Sequence, residues 1–137
     1  MKCRMDIELN WIERGSGMPL VLLHGNGESL ESFRHQIGYF SKSYRVIAVD
    51  TRGHGRSERG SAPFTLKQFA KDLKALLDSR GIRRVYLLGF SDGGNIALIF
   101  TLKYPDYVER LILNGANLYP LGMKLSVFVP IALAYAG

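Results

Sequence analysis

Cysteine is nearly absent from this chain of 137 residues, which contains only Cys3. A single cysteine excludes a disulfide within the chain and favours a reducing compartment. The first fifteen residues, MKCRMDIELNWIERG, also lack the apolar core of a signal peptide. These two observations predict a cytoplasmic protein.

Long hydrophobic runs are also missing. The most apolar segment, residues 121–137, reads LGMKLSVFVPIALAYAG and is interrupted by Lys124 and Pro130. A membrane-spanning helix needs about 20 predominantly apolar residues, so this segment is short for that role. The pattern favours a lid or a buried helix over a membrane contact.

Acidic residues are in the minority, but the excess of positive charge shows no nucleic-acid pattern. The net charge is +6 and the sequence pI is about 9.6. The densest basic group, Arg80, Arg83 and Arg84, falls in a turn after a predicted helix, where solvated charges are ordinary. No interleaving of aromatic and basic residues accompanies it, so no nucleic-acid partner is expected. The composition, 47% hydrophobic and 22% charged, is that of one globular unit.

Four short apolar runs carry the strand signal, at residues 19–23, 45–49, 84–88 and 110–113. Each run is apolar at successive positions, as in strands that are buried on both faces of a parallel sheet. Residues 7, 9 and 11 alternate with polar neighbours instead, and they predict a half-exposed edge strand.

Helical patterns separate these runs. Apolar residues recur at helical spacing at positions 30, 33, 37 and 40, and again from 66 to 77. Thr65 and Gln68 form a capping box at the start of the second helix, and Gly81 is placed to end it.

A third helix is predicted from about residue 92 to residue 104, closed by Pro105. Strands that alternate with helices imply right-handed crossovers. The sequence therefore predicts an α/β fold with a mostly parallel sheet and helices on both faces.

The pentapeptide Gly-Phe-Ser-Asp-Gly, residues 89–93, lies between the third apolar run and the third helix. In a strand–turn–helix setting, Gly89 and Gly93 leave room for a tight turn that presents Ser91 at the carboxyl end of the sheet. The adjoining helix N-terminus favours developing negative charge. A packing turn and a phosphate-binding loop are the alternatives, but GFSDGG does not match G-x-G-x-x-G, so a nucleophile is favoured.

A second glycine-rich stretch, LLHGNGE at residues 22–28, follows the first apolar run. A loop here can direct a backbone N–H toward an oxyanion near Ser91, and we assign the two donors to the amides of Asn26 and Asp92. His24 is interpreted as ordering the loop rather than as a catalytic base. Taken alone, the stretch also fits a glycine-rich loop without a catalytic role.

A third stretch, DTRGHGRS at residues 50–57, follows the second apolar run. Its glycines suit sharp turns, and Asp50 is expected to pair with Arg52 and make the loop rigid. The alternative would recruit His54 to Ser91. We favour a structural loop, because alternating glycines with a charged pair make a self-contained turn.

The three segments LLHGNGES, VDTRGHGRS and GFSDGGN, in this order and at these spacings, resemble the α/β-hydrolase family. More narrowly, they resemble its small lidded esterases, C–C hydrolases and peptidase-like members, over residues 7 to about 117. The resemblance implies that Ser91 is the nucleophile and that Asn26 and Asp92 supply the oxyanion hole. The dehalogenase branch carries aspartate in place of this serine, so acyl transfer to water is implied rather than halide displacement.

The sequence departs from the family at the catalytic base. In this fold the catalytic residues run serine, acid, histidine along the chain, but all three histidines precede Ser91. Of the later acids, Asp106 and Glu109 precede the last predicted strand and should lie at the opposite end of the sheet. Asn114 lies at the favourable end but is not a carboxylate. We therefore expect the acid and the histidine to be missing from this chain.

These considerations predict an incomplete α/β-hydrolase fold, with residues 1–117 as the N-terminal half of the core and 118–137 as the start of a cap. The strand at 110–113 would then be an open edge that invites a second copy or a complementing C-terminal half. The expected function is a serine hydrolase for a small ester, amide or related acyl substrate, inactive alone and without metal or organic cofactor. The alternative is a non-catalytic assembly or binding partner, with a nucleotide-binding half-domain ranked last.

Overall fold

The computed structural model describes residues 6–118 and 123–130, with side chains through residue 115. Cys3 and residues 119–122 and 131–137 lie outside the described part. The described residues form a six-stranded sheet and three α-helices. The strands are β1 (Trp11–Arg14), β2 (Pro19–Leu23), β3 (Arg45–Val49), β4 (Val85–Phe90), β5 (Val108–Leu118) and β6 (Met123–Pro130), and the helices are α1 (Arg34–Phe40), α2 (Leu66–Ser79) and α3 (Asp92–Lys103).

The strand order is β1-β3-β2-β4-β5-β6. Strands β2 to β5 are parallel, and β1 and β6 are antiparallel to their neighbours. The chain runs from β2 outward to β3 and then crosses back to β4, on the other side of β2. The carboxyl ends of β2 and β4 therefore lie side by side where the winding reverses, the place at which open α/β sheets bind ligands.

The strands are buried because both of their faces are covered. Alternate residues of β2 and β3 pack with α2 and α3 in one apolar cluster, and the intervening residues pack with α1 in a second cluster. Val21 and Leu22 are adjacent in sequence and belong to different clusters, yet both are completely buried. The successive apolar positions of the sequence are explained by this two-sided burial, and the predicted α/β class with helices on both faces is confirmed.

The first predicted helix is present in two parts. A 3₁₀ helix covers Leu30–Phe33, and α1 continues from it. The Ser29 hydroxyl accepts a hydrogen bond from the amide of Glu31 at 3.3 Å, which caps the first turn.

The second predicted helix has the expected ends and one altered contact. The Thr65 hydroxyl accepts from the Gln68 amide at 3.1 Å, whereas the Gln68 side chain donates to Asp72 instead of completing the capping box. At the other end Gly81 has a φ of +70°, and the Ile82 amide donates to the Leu77 carbonyl at 2.9 Å. This is a Schellman motif, as the position of Gly81 predicted.

The tail segment and the sheet edge differ from the predictions. Residues 123–130 form a strand rather than a helix, and they pair antiparallel with β5. Strand β5 also extends to residue 118, well beyond the predicted 110–113. The expected open edge at β5 is therefore wrong, because a nearby apolar segment of the same chain supplies its partner through backbone hydrogen bonds. The edge strand predicted at residues 7–11 is wrong in position: β1 is Trp11–Arg14 and shares only Trp11 with the prediction, and Ile7 is buried rather than half-exposed.

Within the described part of the chain, none of the helices combines the length and apolar character needed to cross a bilayer.

Candidate active site

Ser91 stands at the junction of β4 and α3 with a φ of 56° and a ψ of −119°. Among the described residues it is the one non-glycine residue with a positive φ. Such a conformation costs on the order of 1–3 kcal/mol and persists only where neighbouring structure enforces it. Here the Ser91 amide donates to the Asn114 carbonyl at 2.8 Å, and the Ser91 carbonyl accepts from the Gly94 amide at 2.9 Å.

Gly89 and Gly93 permit the close approach of the segments around this turn. A Cβ atom on Gly93 would overlap the carbonyl oxygen of Leu23, and one on Gly89 would overlap the carbonyl oxygen of Gly93. Any larger residue would therefore push α3 away from β2 and β4. The strand–turn–helix geometry of residues 89–93 thus depends on glycine at both positions.

The loop after β2 lies against Ser91. A Cβ atom on Gly25 would stand 3.3 Å from the Ser91 Cβ and 2.7 Å from the Glu28 carboxylate. That carboxylate accepts a hydrogen bond from the Gly25 amide at 3.0 Å, which holds the loop in place.

The amides of Asn26 and Asp92 belong to the residues that line one small cavity, of about 180 Å³. Within the described part of the chain, neither amide donates to another protein group. The Asp92 amide is in the first turn of the twelve-residue helix α3, where backbone N–H groups have no partner within the helix. The arrangement can receive a developing negative charge.

The remaining wall of this cavity comes from the loop after β3 and from the start of α2. Thr51 and His54 contribute from the loop, and residues 64–66 and 69 contribute from the helix end. A larger cavity of about 630 Å³, between the N-terminal segment and α2, shares no lining residue with it. The smaller cavity is the one that adjoins the Ser91 turn.

His24 is buried, with an exposed fraction of 1%. Its Nδ1 lies 2.7 Å from the Gly25 carbonyl and therefore carries the proton, while its Nε2 accepts from the Thr51 amide at 3.1 Å. Burial lowers the pKa of His24 below its ordinary value of 6.5. The neutral imidazole joins the loops after β2 and β3, which is the ordering role predicted for it.

His54 is held within the same pair of loops. Its Nδ1 lies 3.0 Å from the Arg52 carbonyl, and its Nε2 lies 3.3 Å from the Asn26 side-chain oxygen. The ring is stacked on Phe64, with ring centroids 6.1 Å apart and planes inclined by 13°. His54 therefore connects the Asn26 loop to the aromatic side of the cavity.

The predicted pair between Asp50 and Arg52 is wrong. The Asp50 carboxylate accepts from the amides of Leu30 at 2.7 Å and Arg56 at 2.9 Å, and from the Asn10 side chain at 2.9 Å. These three neutral donors occupy both carboxylate oxygens. The loop at 50–57 thus supplies one of these donors from its own backbone, the amide of Arg56, and the Arg52 side chain is not a partner of Asp50.

Arg52 points in the other direction, toward α2. Its guanidinium is completely buried and pairs with Asp72 at 2.9 Å and Asp6 at 2.7 Å. The hydrogen bonds that the guanidinium donates to these two carboxylates raise the pKa of Arg52, and the bond to Asp6 holds the pKa of that carboxyl well below its ordinary value. This network was not predicted from the sequence. The signal was Asp72, a carboxylate among the buried apolar residues of α2.

The two later acids lie at the far end of the sheet, as predicted. Asp106 is in a 3₁₀ helix before β5, and Glu109 is near the start of β5, 3.4 Å from Arg84. Asn114 is paired with Phe90, next to Ser91. In residues 6–118 no group of three histidine, cysteine or carboxylate side chains is arranged to hold a metal ion.

Comparison with known proteins identifies relatives of this site and fold. The family model for the alpha/beta hydrolase fold matches residues 18–134. The soluble epoxide hydrolase of a Corynebacterium species is 34% identical over 92% of this chain and 43% of its own length. The (E)-2-((N-methylformamido)methylene)succinate hydrolase of Acinetobacter baylyi is 38% identical over 77% of this chain and 41% of its own.

The structure of a thermophilic esterase from Thermogutta terrifontis superimposes with a TM-score of 0.78 at 33% identity, over 80% of this chain and 41% of the esterase. The chain spans between 28% and 43% of the length of eight curated relatives that it matches. Those of the eight with a stated activity are hydrolases.

Proposed function

The chain belongs to the alpha/beta hydrolase fold family, and on that premise we propose that it carries the nucleophile and the oxyanion hole of a serine hydrolase. Ser91 is the nucleophile, and the backbone amides of Asn26 and Asp92 bind the oxyanion. The substrate is a small ester, amide or related acyl compound. The proposed chemistry requires neither metal nor organic cofactor, and the single cysteine favours a cytoplasmic setting.

The observation that carries this proposal is the backbone conformation of Ser91. A serine with a φ of 56° at the start of a helix is strained, and glycine would relieve that strain. Strain of this kind is concentrated at functional sites, where it holds a side chain in one direction. A turn needed only for packing would gain stability from glycine at position 91.

The neighbouring amides support the same proposal. When Ser91 Oγ attacks an acyl carbon, the carbonyl oxygen becomes negatively charged. Residues 26 and 92 line the same cavity, and the dipole of α3 adds to the effect of the N–H group at its start. Donors of this type are worth about 10²–10³-fold in rate each.

A general base for Ser91 is not found among the described residues. His24 and His54 are hydrogen bonded to Gly25, Thr51 and Arg52 as set out above. A serine hydroxyl without a base is protonated at neutral pH and is a weak nucleophile. We therefore propose negligible turnover of p-nitrophenyl acetate by this chain alone.

Covalent labelling tests the nucleophile directly. A fluorophosphonate–biotin probe should label the chain at Ser91 with a rate that rises about tenfold per pH unit from pH 6 to pH 9, because the serine alkoxide is the attacking species. Intact-mass and peptide mass spectrometry measure the rate and the site. Ser91→Ala should abolish labelling, whereas the exposed Ser61→Ala should not.

Two results would change this conclusion. A plateau in the labelling rate above pH 7 would reveal a histidine base. Absence of labelling at Ser91 throughout the pH range would remove the nucleophile assignment and favour a non-catalytic binding or assembly role.

A further inference from the structure

We infer that the cavity of about 180 Å³ beside Asn26 and Asp92 is the acyl pocket of this protein and selects short, uncharged acyl groups, with Phe64 as the wall that limits their length. This inference rests on the proposed function, since it assumes that Ser91 attacks a carbonyl group. It adds the substrate class and the residue that determines it.

The position of the cavity supports its assignment to the acyl side. Residues 26 and 92, which carry the proposed oxyanion donors, are part of its wall. A carbonyl oxygen bound by those two amides places the attached carbon at the mouth of the cavity. One of the two substituents of that carbon then enters the cavity.

The size of the cavity sets the length of the acyl group. An apolar cavity of about 150 Å³ holds one benzene molecule. A cavity of about 180 Å³ therefore accepts about six or seven non-hydrogen atoms. Butyryl and branched pentanoyl groups fit, and an octanoyl group does not.

Phe64 forms one wall of the cavity although 47% of its surface is exposed. Its ring is stacked on His54 and meets Phe69 edge to face, with a centroid distance of 5.0 Å. The Arg59 guanidinium lies 4.5 Å from the ring centroid, which adds a cation–π contact on the outside. A Cβ atom on Gly53 would stand 2.8 Å from the ring, so the backbone also lies close to it. These contacts fix an exposed aromatic side chain in one orientation.

The charge of the lining residues selects against acyl groups that carry a carboxylate. Asp92 contributes the one carboxylate, and the described lining residues include neither lysine nor arginine. His24 is neutral because burial lowers its pKa. A second carboxylate in a cavity of this kind meets repulsion without a compensating cation.

The test uses Ser91→Ala protein, so that binding is measured without any covalent step. Butyramide, succinamate and octanamide are titrated into the ¹⁵N-labelled chain at pH 8. Succinamate has the amide of butyramide but carries a carboxylate at the other end of its chain. We expect butyramide to shift the amide resonances of Asn26, Thr65 and Asp92. Succinamate and octanamide should bind at least about tenfold more weakly, the first because of its charge and the second because of its length.

Phe64→Ala in the same background should raise octanamide affinity by about tenfold or more, because the cavity then opens toward solvent. Tyr39→Ala removes another exposed ring, from α1, and should change nothing. Equal binding of all three ligands, or octanamide binding that ignores residue 64, would overturn the inference. Labelling of Ser91 by the fluorophosphonate probe is an independent readout, so a failed pocket and a failed nucleophile give different results.

Discussion

At the scale of single residues, the site depends on positions where a side chain has no room or no freedom. Gly93 lies against the backbone carbonyls of Leu23 and His24, and His24 is sealed between two loops. Each of these residues connects the Ser91 turn to the carboxyl end of β2. Their substitution should therefore affect stability as well as the site.

Gly93→Ala should destabilise the fold by about 2 kcal/mol or more, because the new methyl group overlaps the Leu23 carbonyl oxygen and must displace α3. Gly38→Ala is the matched control. Nothing lies within 4 Å of a Cβ atom at that position in α1, so alanine should stabilise the helix by about 0.5–1 kcal/mol. Urea unfolding followed by circular dichroism measures both, and equal effects would contradict the packing argument.

His24 should make the protein less stable in mild acid. Burial lowers its folded-state pKa below 6.5, so the folded protein favours the neutral imidazole. Its contribution is complete above about pH 7 and is lost as the pH falls below about 6.5 toward the folded-state pKa.

The measurement for His24 is the free energy of unfolding between pH 7.5 and pH 5. His24→Gln, which keeps an acceptor for the Thr51 amide, should show a shallower decline than the unsubstituted chain. The exposed His35→Gln should leave the slope as it is. Identical slopes for all three proteins would show that His24 is not the titrating group.

At the scale of secondary-structure elements, the N-terminal end of α2 forms part of the cavity wall. Its cap, Thr65, follows Phe64 directly and lies in the cavity lining. A helix start that frays would loosen Phe64 and the pocket together. If the cavity is the acyl pocket proposed above, the capping of α2 also affects which acyl groups bind.

Thr65→Ala should cost about 1 kcal/mol of unfolding free energy, because the Gln68 amide loses its acceptor. Thr65→Ser keeps the hydroxyl and should restore most of the loss. Thermal and urea denaturation of the two variants give the comparison. If serine proves no better than alanine, the hydroxyl does not cap α2.

At the scale of the whole molecule, Arg52 joins three distant parts of the chain. It connects the loop after β3 to Asp72 in α2 and to Asp6 before β1. The Asp72 side chain is 1% exposed, whereas that of Asp6 is 29% exposed. Loss of the arginine would leave the buried Asp72 carboxylate without a compensating positive charge, with the neutral Gln68 side chain as its remaining donor.

Arg52→Met should therefore destabilise the chain by about 3–5 kcal/mol. The double variant Arg52→Met with Asp72→Leu should recover much of that loss, since no charge then remains buried. Asp6→Asn should cost far less. Urea denaturation of the set completes the cycle, and a double variant as unstable as the single one would refute the burial argument.

The sheet edges bear on self-association. Of the described strands, β1 and β6 each pair along one side only. Such an edge presents backbone N–H and C=O groups to another chain. We expect dimers at tens of micromolar protein through the outer edge of β6, measured by size-exclusion chromatography with light scattering.

Proline substitutions at two successive positions of β6 test whether its outer edge forms the dimer. Backbone N–H groups of successive residues point to opposite edges of a strand, so one proline removes an N–H group from the outer edge and the other removes one that faces β5. One of Ser126→Pro and Val127→Pro should abolish the dimer while leaving the fold intact. A monomer at all concentrations would dismiss the edge as an interface.

The parts of this protein that depend on local interactions could be predicted from its amino-acid sequence. The apolar runs specified buried strands, Thr65 and Gly81 specified the ends of α2, and Gly89 and Gly93 specified a tight turn at Ser91. These features depend on burial periodicity, capping and backbone freedom within a few residues, so they can be read without a fold.

The contacts between distant segments became known from the tertiary structure and could not be predicted from the sequence. Arg52 pairs with Asp72 and Asp6 rather than with Asp50. Residues 123–130 join the sheet instead of forming a helix. Phe64, which directly precedes the cap of α2, also lines the cavity together with residues from the loops after β2 and β3. A charged or apolar residue shows that it needs a partner, but several candidates satisfy the same chemistry. The choice among them is made by the path of the chain in space.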